Sequence, residues 1–158
     1  MLKDTLLGFE LLPFRKTISR KATTKSKFYF FDTGVANYLA RRIPLKPNHA
    51  DIGVVFEQFI IQEVRAYISY FRKNLSLAFW RSANYEVDLV VGDQLAIEVK
   101  FSEHFKSEYL KGIKALSEEK TVRHYLVVGR FITEGKVSNI SYMHYKSFLT
   151  QLWNHEIV

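Results

Sequence analysis

A chain of 158 residues, 47% apolar and 25% charged, has the composition of one folded domain. It has no cysteine, which excludes disulfides, thiolate zinc sites and cysteine nucleophiles. The formal charge of +7 falls wholly in the first third: residues 1–50 carry ten Lys/Arg against three Asp/Glu, whereas residues 51–158 carry thirteen of each. Such a local excess points to a polyanion partner, most simply DNA, with a solvated basic loop as the plainer alternative. No apolar run is long enough to span a bilayer, and Met1-Leu2-Lys3-Asp4 does not begin a secretory signal. The expectation is a cytoplasmic domain with no membrane partner.

In chain order, residues 4–8 read as the end of a helix and Phe9–Phe14 as an extended segment closed by Pro13. Arg15–Lys27 holds six basic residues and no acidic one, and reads as a mobile connection in which Arg15, Lys16, Arg20, Lys21, Lys25 and Lys27 are candidate phosphate contacts. KFYFF over Lys27–Phe31 is a strand candidate, and Asp32 caps a helix over Gly34–Arg42. Residues 1–50 are thus a basic extension, with a strand and a helix, packed on the single domain formed by residues 51–158.

A long helix follows over Val54–Lys73, with a polar arc of Gln58, Gln62, Arg65, Ser69, Arg72 and Lys73. Glu57 and Glu63 fall on its apolar side, where a carboxylate is expected to be neutral, paired or metal-bound. Leu75–Arg81 alternates as a strand, Phe105–Glu119 has helical periodicity, and Val122–Val128 is a strand. Val137–Tyr142 is a weaker strand, and Lys146–Trp153 a terminal helix.

Between these lies YEVDLVVGDQLAIEVKF, Tyr85 to Phe101, which reads as a β-hairpin turning at Gly92-Asp93-Gln94. A three-residue loop sets Val91 opposite Leu95, Asp88 opposite Glu98 and Glu86 opposite Lys100. Val87, Leu89, Ile97 and Val99 then share the other face. Two carboxylates converge with an ammonium beside them. Buried charges of this kind are costly unless they are paired or bind an ion. A network of ion pairs without metal is the plain reading.

A helix bearing Glu57, a strand bearing Asp88 and then Glu98-Val99-Lys100, in the order αβββαβ, resembles the PD-(D/E)xK, or restriction-endonuclease-like, nuclease superfamily. KFYFFDTGVANYL, GVVFEQFIIQEV, FWRS, EVDLVV and AIEVKFS are similar to the nuclease-like C-terminal domain, of unknown function, found in bacterial and archaeal AAA+ ATPases. The resemblance covers roughly residues 9–130. Val87 replaces the motif's proline, and no Walker A pattern occurs, so the ATPase half that the resemblance implies is absent and the sequence is a fragment, a truncated gene product or a stand-alone relative.

The resemblance implies an α/β fold with a mixed central sheet flanked by helices, and Mg2+- or Mn2+-dependent phosphodiester hydrolysis on DNA. Asp88, Glu98, Lys100 and Glu57 are the implied catalytic residues. Asp88, Glu98, the Val99 backbone carbonyl and Glu57 are the implied metal ligands. A catalytically silent nucleic-acid- or protein-binding module of an AAA+ ATPase is the alternative, and a homo-oligomer stays open. Arg81 is a further phosphate contact, beside Trp80, which reads as core. Tyr142 and Trp153 are candidates for a partner interface. The five histidines lack ligand spacing, and Ser82 and Ser102 lack a base and its orienter.

Overall fold

The structure, a computed structural model, describes residues 7–14, 25–41, 51–82 and 84–158. An eight-stranded mixed sheet runs through it. The first two strands, β1 (Gly8–Pro13) and β2 (Lys27–Phe30), pair antiparallel at one edge, and α1 (Thr33–Leu39) and α2 (Ile52–Tyr70) follow. Then come β3 (Leu77–Arg81), β4 (Glu86–Val91) and β5 (Leu95–Lys100), all antiparallel neighbours. A turn of 3-10 helix, Ser107–Leu110, and α3 (Lys111–Ser117) cross over to β6 (His124–Gly129), parallel to β5. A hairpin of β7 (Gly135–Val137) and β8 (Ile140–His144) and a last helix, α4 (Tyr145–Trp153), complete the chain. The strand order is β2-β1-β3-β4-β5-β6-β8-β7. The α/β class, the αβββαβ order from α2 to β6 and the mixed sheet between helices agree with the sequence expectation.

Helices cover both faces of the sheet, so its central strands are nearly continuous runs of Val, Ile and Leu. On one face α2 and α4 place Ile60, Ile61, Val64, Phe148 and Leu152 against Leu89, Ile97, Val99 and Leu126. On the other, the 3-10 turn and α3 place Leu110, Ile113 and Leu116 against Trp80, Val87, Val90 and Val127. Each such fully buried side chain contributes about 1.5–3 kcal/mol, which is the reserve that tolerates charges at the sheet's end.

The polar arc expected on α2 is only partly a solvent face. Gln58 is buried, and its side-chain amide and that of Gln62 both donate to the Phe30 carbonyl, at 2.8 and 2.9 Å. These bonds clamp the end of β2 onto α2. Asp32 caps α1 as expected, accepting the Val35 amide at 2.7 Å. Leu7 is a bend and Gly8 already opens β1, so the helix end expected there is absent from the described part; residues 1–6 lie outside it. The basic connection lies outside it over residues 15–24. The expected Phe105–Glu119 helix is a 3-10 turn and two turns of α-helix, and the single late strand is the β7–β8 hairpin, turning at Ser138 with φ +58°.

Gly112 fixes how closely α3 lies on β4. A Cβ there would sit 2.2 Å from the Glu86 carbonyl oxygen, and backbone cannot give way as a side-chain tip can. We expect Gly112→Ala to cost about 1–3 kcal/mol by overpacking. Since 1 kcal/mol moves the melting temperature of a domain this size by about 2–4 °C, calorimetry should show a clear drop. An unchanged Tm would mean α3 rides free of β4.

Candidate metal centre

The β4–β5 hairpin has the register that pleat alternation demands: Val91 faces Leu95 and Leu89 faces Ile97 across Gly92-Asp93-Gln94. Gly92 takes φ +56°, a conformation that favours glycine. The ladder between the two strands then stops. Glu86 and Val87 continue beside β3, whereas Glu98, Val99 and Lys100 continue beside β6. The Val99 amide, which faces β4, donates instead to the Asp88 carboxylate, Oδ2, at 2.8 Å. Opposite, the β3–β4 register slips by one between Ala78↔Val90 and Trp80↔Val87, so Asp88 and Leu89 together face Phe79. This bulge re-aims side chains. It sends Val87 to the α3 side while Leu89, Ile97 and Val99 stay on the α2 side, which corrects the expectation that all four share one face.

Seven further ionic or polar side chains gather around Asp88. Lys27, on β2, reaches three carboxylates: Glu57 at 3.3 Å, Asp88 at 3.8 Å, and Glu86 in closer contact. The Tyr29 hydroxyl donates to the same Glu57 oxygen, Oε1, at 2.7 Å. Arg81 pairs with Glu86 and lies over the Phe79 ring. Lys100 pairs with Glu98, Nζ to Oε1, at 2.6 Å. The expected Glu86–Lys100 cross-strand pair is therefore replaced by Glu86 with Lys27 and Arg81. The remaining oxygen of Glu98, Oε2, is buried and has no hydrogen-bond partner among the described residues.

Three cations thus face four carboxylates, and the deficit falls on Asp88 and Glu98. Burial, then the charges of Glu98 and Glu57, push the Asp88 carboxyl well above the usual carboxylate range, against the pull of Lys27 and the Val99 amide. Burial also raises Glu98, outweighing Lys100. Glu86 goes the other way: burial would raise it, but the hydrogen bonds and charges of Lys27 and Arg81 bring it below its ordinary value. Burial disfavours charge on Lys27 and Lys100, yet the surrounding carboxylates hold both above the ordinary lysine value. Both ammonium groups remain charged at neutral pH.

Residues 52–146, more than half of the chain, match the family model described as Domain of unknown function (DUF4143). The chain belongs to that family. No curated protein and no solved structure matches it significantly. In this DUF4143 domain the family segment carries Glu57, Arg81, Glu86, Asp88, Glu98 and Lys100, while Lys27 and Tyr29 come from outside it.

The fold gathers Asp88, Glu98, Lys100 and Glu57, the four expected catalytic residues, into this one cluster, and Val99 joins it through its N–H. Glu57 is already engaged by Lys27 and Tyr29. Of the expected phosphate contacts, Arg15, Lys16, Arg20 and Lys21 lie outside the described residues, Lys25 is exposed, and Arg81 is tied to Glu86. Lys27 is a member of the acid cluster. Tyr142 stacks on Phe105 at 4.0 Å, and Trp153 donates to Glu63 while its ring stays exposed. A recess of about 240 Å3 lined by Arg81, Ser82, Asn84, Tyr85 and Glu86 opens beside the cluster. A roomier one, about 440 Å3, lies by the Gly92-Asp93 turn and has no charged lining residue but Asp93, so chemistry and not size locates the site.

Sequence reasoning missed Tyr29 altogether and misassigned Lys27. The available signal was alternation: in KFYFF, Lys27 and Tyr29 share a face, an odd position for a lysine if the aromatic ring is buried.

Among the described residues, no group of three or more His, Asp or Glu side chains converges closely enough to hold an ion. Two carboxylates do remain short of positive charge, and Mg2+ is commonly held by one or two carboxylates plus waters and substrate phosphate. The donor set fits such an ion.

A carboxyl raised in the folded state adds stability that is complete below its unfolded value and is lost as pH rises through the folded value. In chelator, the protein should therefore lose stability from about pH 4 upward through Asp88 and Glu98. Asp88→Asn, which keeps an acceptor for the Val99 amide, should flatten that profile and raise Tm at pH 7–8. Parallel melting profiles for the two proteins would remove the charge deficit.

Proposed function

We propose that this domain is a divalent-metal-dependent nuclease of the PD-(D/E)xK kind, acting on DNA and working with an AAA+ ATPase module outside this chain. The observation that carries the reading is the buried, unpartnered Oε2 of Glu98 beside the buried Asp88, both raised. Two carboxylates that repel each other in a low dielectric invite a hard cation. The αβββαβ order and the Glu-Val-Lys sequence on β5 add support.

Asp88 and Glu98 would hold Mg2+ or Mn2+, with the Val99 carbonyl as a further ligand. When bound, the ion neutralises phosphate charge and lowers the pKa of a coordinated water. The chain's own groups do the rest. The Val99 amide orients Asp88. Lys100 is held above its ordinary pKa, so it acts as a fixed positive charge for the developing phosphorane oxygen and not as a general base. Glu98 positions that ammonium at 2.6 Å.

A silent binding module is favoured by one observation, the lack of a three-ligand cluster among the described residues. Cleavage decides between them. Plasmid and single-stranded DNA should be cut with Mg2+ or Mn2+, Asp88→Ala should abolish cutting, and Lys100→Ala should slow it by about 10²–10³-fold. Wild type that cuts no better than the two variants would discard the nuclease reading.

A further inference from the structure

Lys27 does more than a surface ion pair requires. Its ammonium lies against Glu57, Glu86 and Asp88 together, with the Phe79 ring 5.4 Å beneath it. Its placement is rigid. β2 is registered on β1 by Leu11↔Lys27, and Gln58 and Gln62, directly after Glu57 on α2, clamp the same strand through the Phe30 carbonyl. Tyr29, two residues on, locks Glu57 Oε1 to the same side. Against this, Glu98 Oε2 is buried and has no hydrogen-bond partner among the described residues, and Lys27 pairs with Glu57, Glu86 and Asp88 but not with Glu98.

We propose that Lys27 stands in for a second metal ion, so that the site takes one divalent cation, at Asp88 and Glu98, while the ammonium fills the position among Glu57, Glu86 and Asp88 that a second would need. The inference rests on the metal-dependent reading above. Charge supports it. One divalent ion with Lys27, Arg81 and Lys100 gives five positive charges against four carboxylates, and the single excess charge matches one phosphodiester. A second ion would have to displace an ammonium held by three carboxylates, and even then would leave two charges in excess. Lys27 is then a positioning residue, which keeps Glu57 and Glu86 off the metal.

The test is the number of ions bound, read without any turnover. Calorimetric titration of the full chain with Mn2+ should give one site in wild type, one in Lys27→Arg, which keeps the charge, and two in Lys27→Gln. Electron paramagnetic resonance should show an isolated Mn2+ in wild type and a spin-coupled pair in Lys27→Gln. Two ions in wild type overturn the proposal, and that count stands whether or not either variant folds. A folded Lys27→Gln that still binds one ion overturns it too, while leaving the nuclease reading intact. No Mn2+ binding by any of the three proteins would instead sink the metal reading and this inference with it.

Discussion

The Val99 amide reaches the Asp88 carboxylate because β4 and β5 part, and the rest of the site follows from that parting. A sheet covered on both faces has nowhere to put charges except at its ends. Here the hairpin is tightly paired from its turn to Leu89 and Ile97, and beyond that each strand follows a different neighbour. The opening frees an N–H and admits carboxylates. The side chain of Asp88 satisfies the amide that the ladder gives up, so the opening leaves no orphaned donor there. What it leaves instead is an orphaned acceptor on Glu98, and with it a demand for positive charge.

That demand separates the cluster into two halves of different character. Around Glu86 the charges are satisfied: Lys27 and Arg81 more than offset burial, and the carboxyl is depressed. Around Asp88 and Glu98 they are not, and burial dominates. The first half is balanced in charge and the second is short of positive charge, within one contiguous group of side chains. Paired and charge-deficient carboxylates, which are alternatives when the sequence alone is read, here occupy adjacent positions.

How far the sequence could be read depended on the range of the interaction. Strand alternation is local, so the hairpin register and the convergence of Asp88 with Glu98 were legible from seventeen residues. The bulge was not, because it is defined by β3 and sends Val87 across the sheet only when Phe79 faces two residues at once. Gln58 and Gln62 looked like a wet arc because helical periodicity records polarity and not partners; their partner is the carbonyl of Phe30, 28 and 32 residues away. Lys27 was the largest miss. It closes a run of six basic residues, and averaging over that run hid the one lysine that alternation places on the same face as the buried Tyr29. The helix from Phe105 was overextended because its apolar spacing suits a 3-10 turn followed by a short helix equally well.

The residues that match DUF4143 begin at Ile52 and end at Lys146. Cut there, the chain would keep the acids and lose Lys27 and Tyr29 with β2, exposing Glu57 without either of its donors. It would also lose most of α4, whose Phe148 and Leu152 close the core over Leu126 and Val128. The stretch of recognisable kinship is thus smaller than the cooperative unit that folds. An excised segment with those boundaries would carry its clustered acids as a liability, repelling one another over an uncovered core, and an autonomous domain must be drawn wider on both sides.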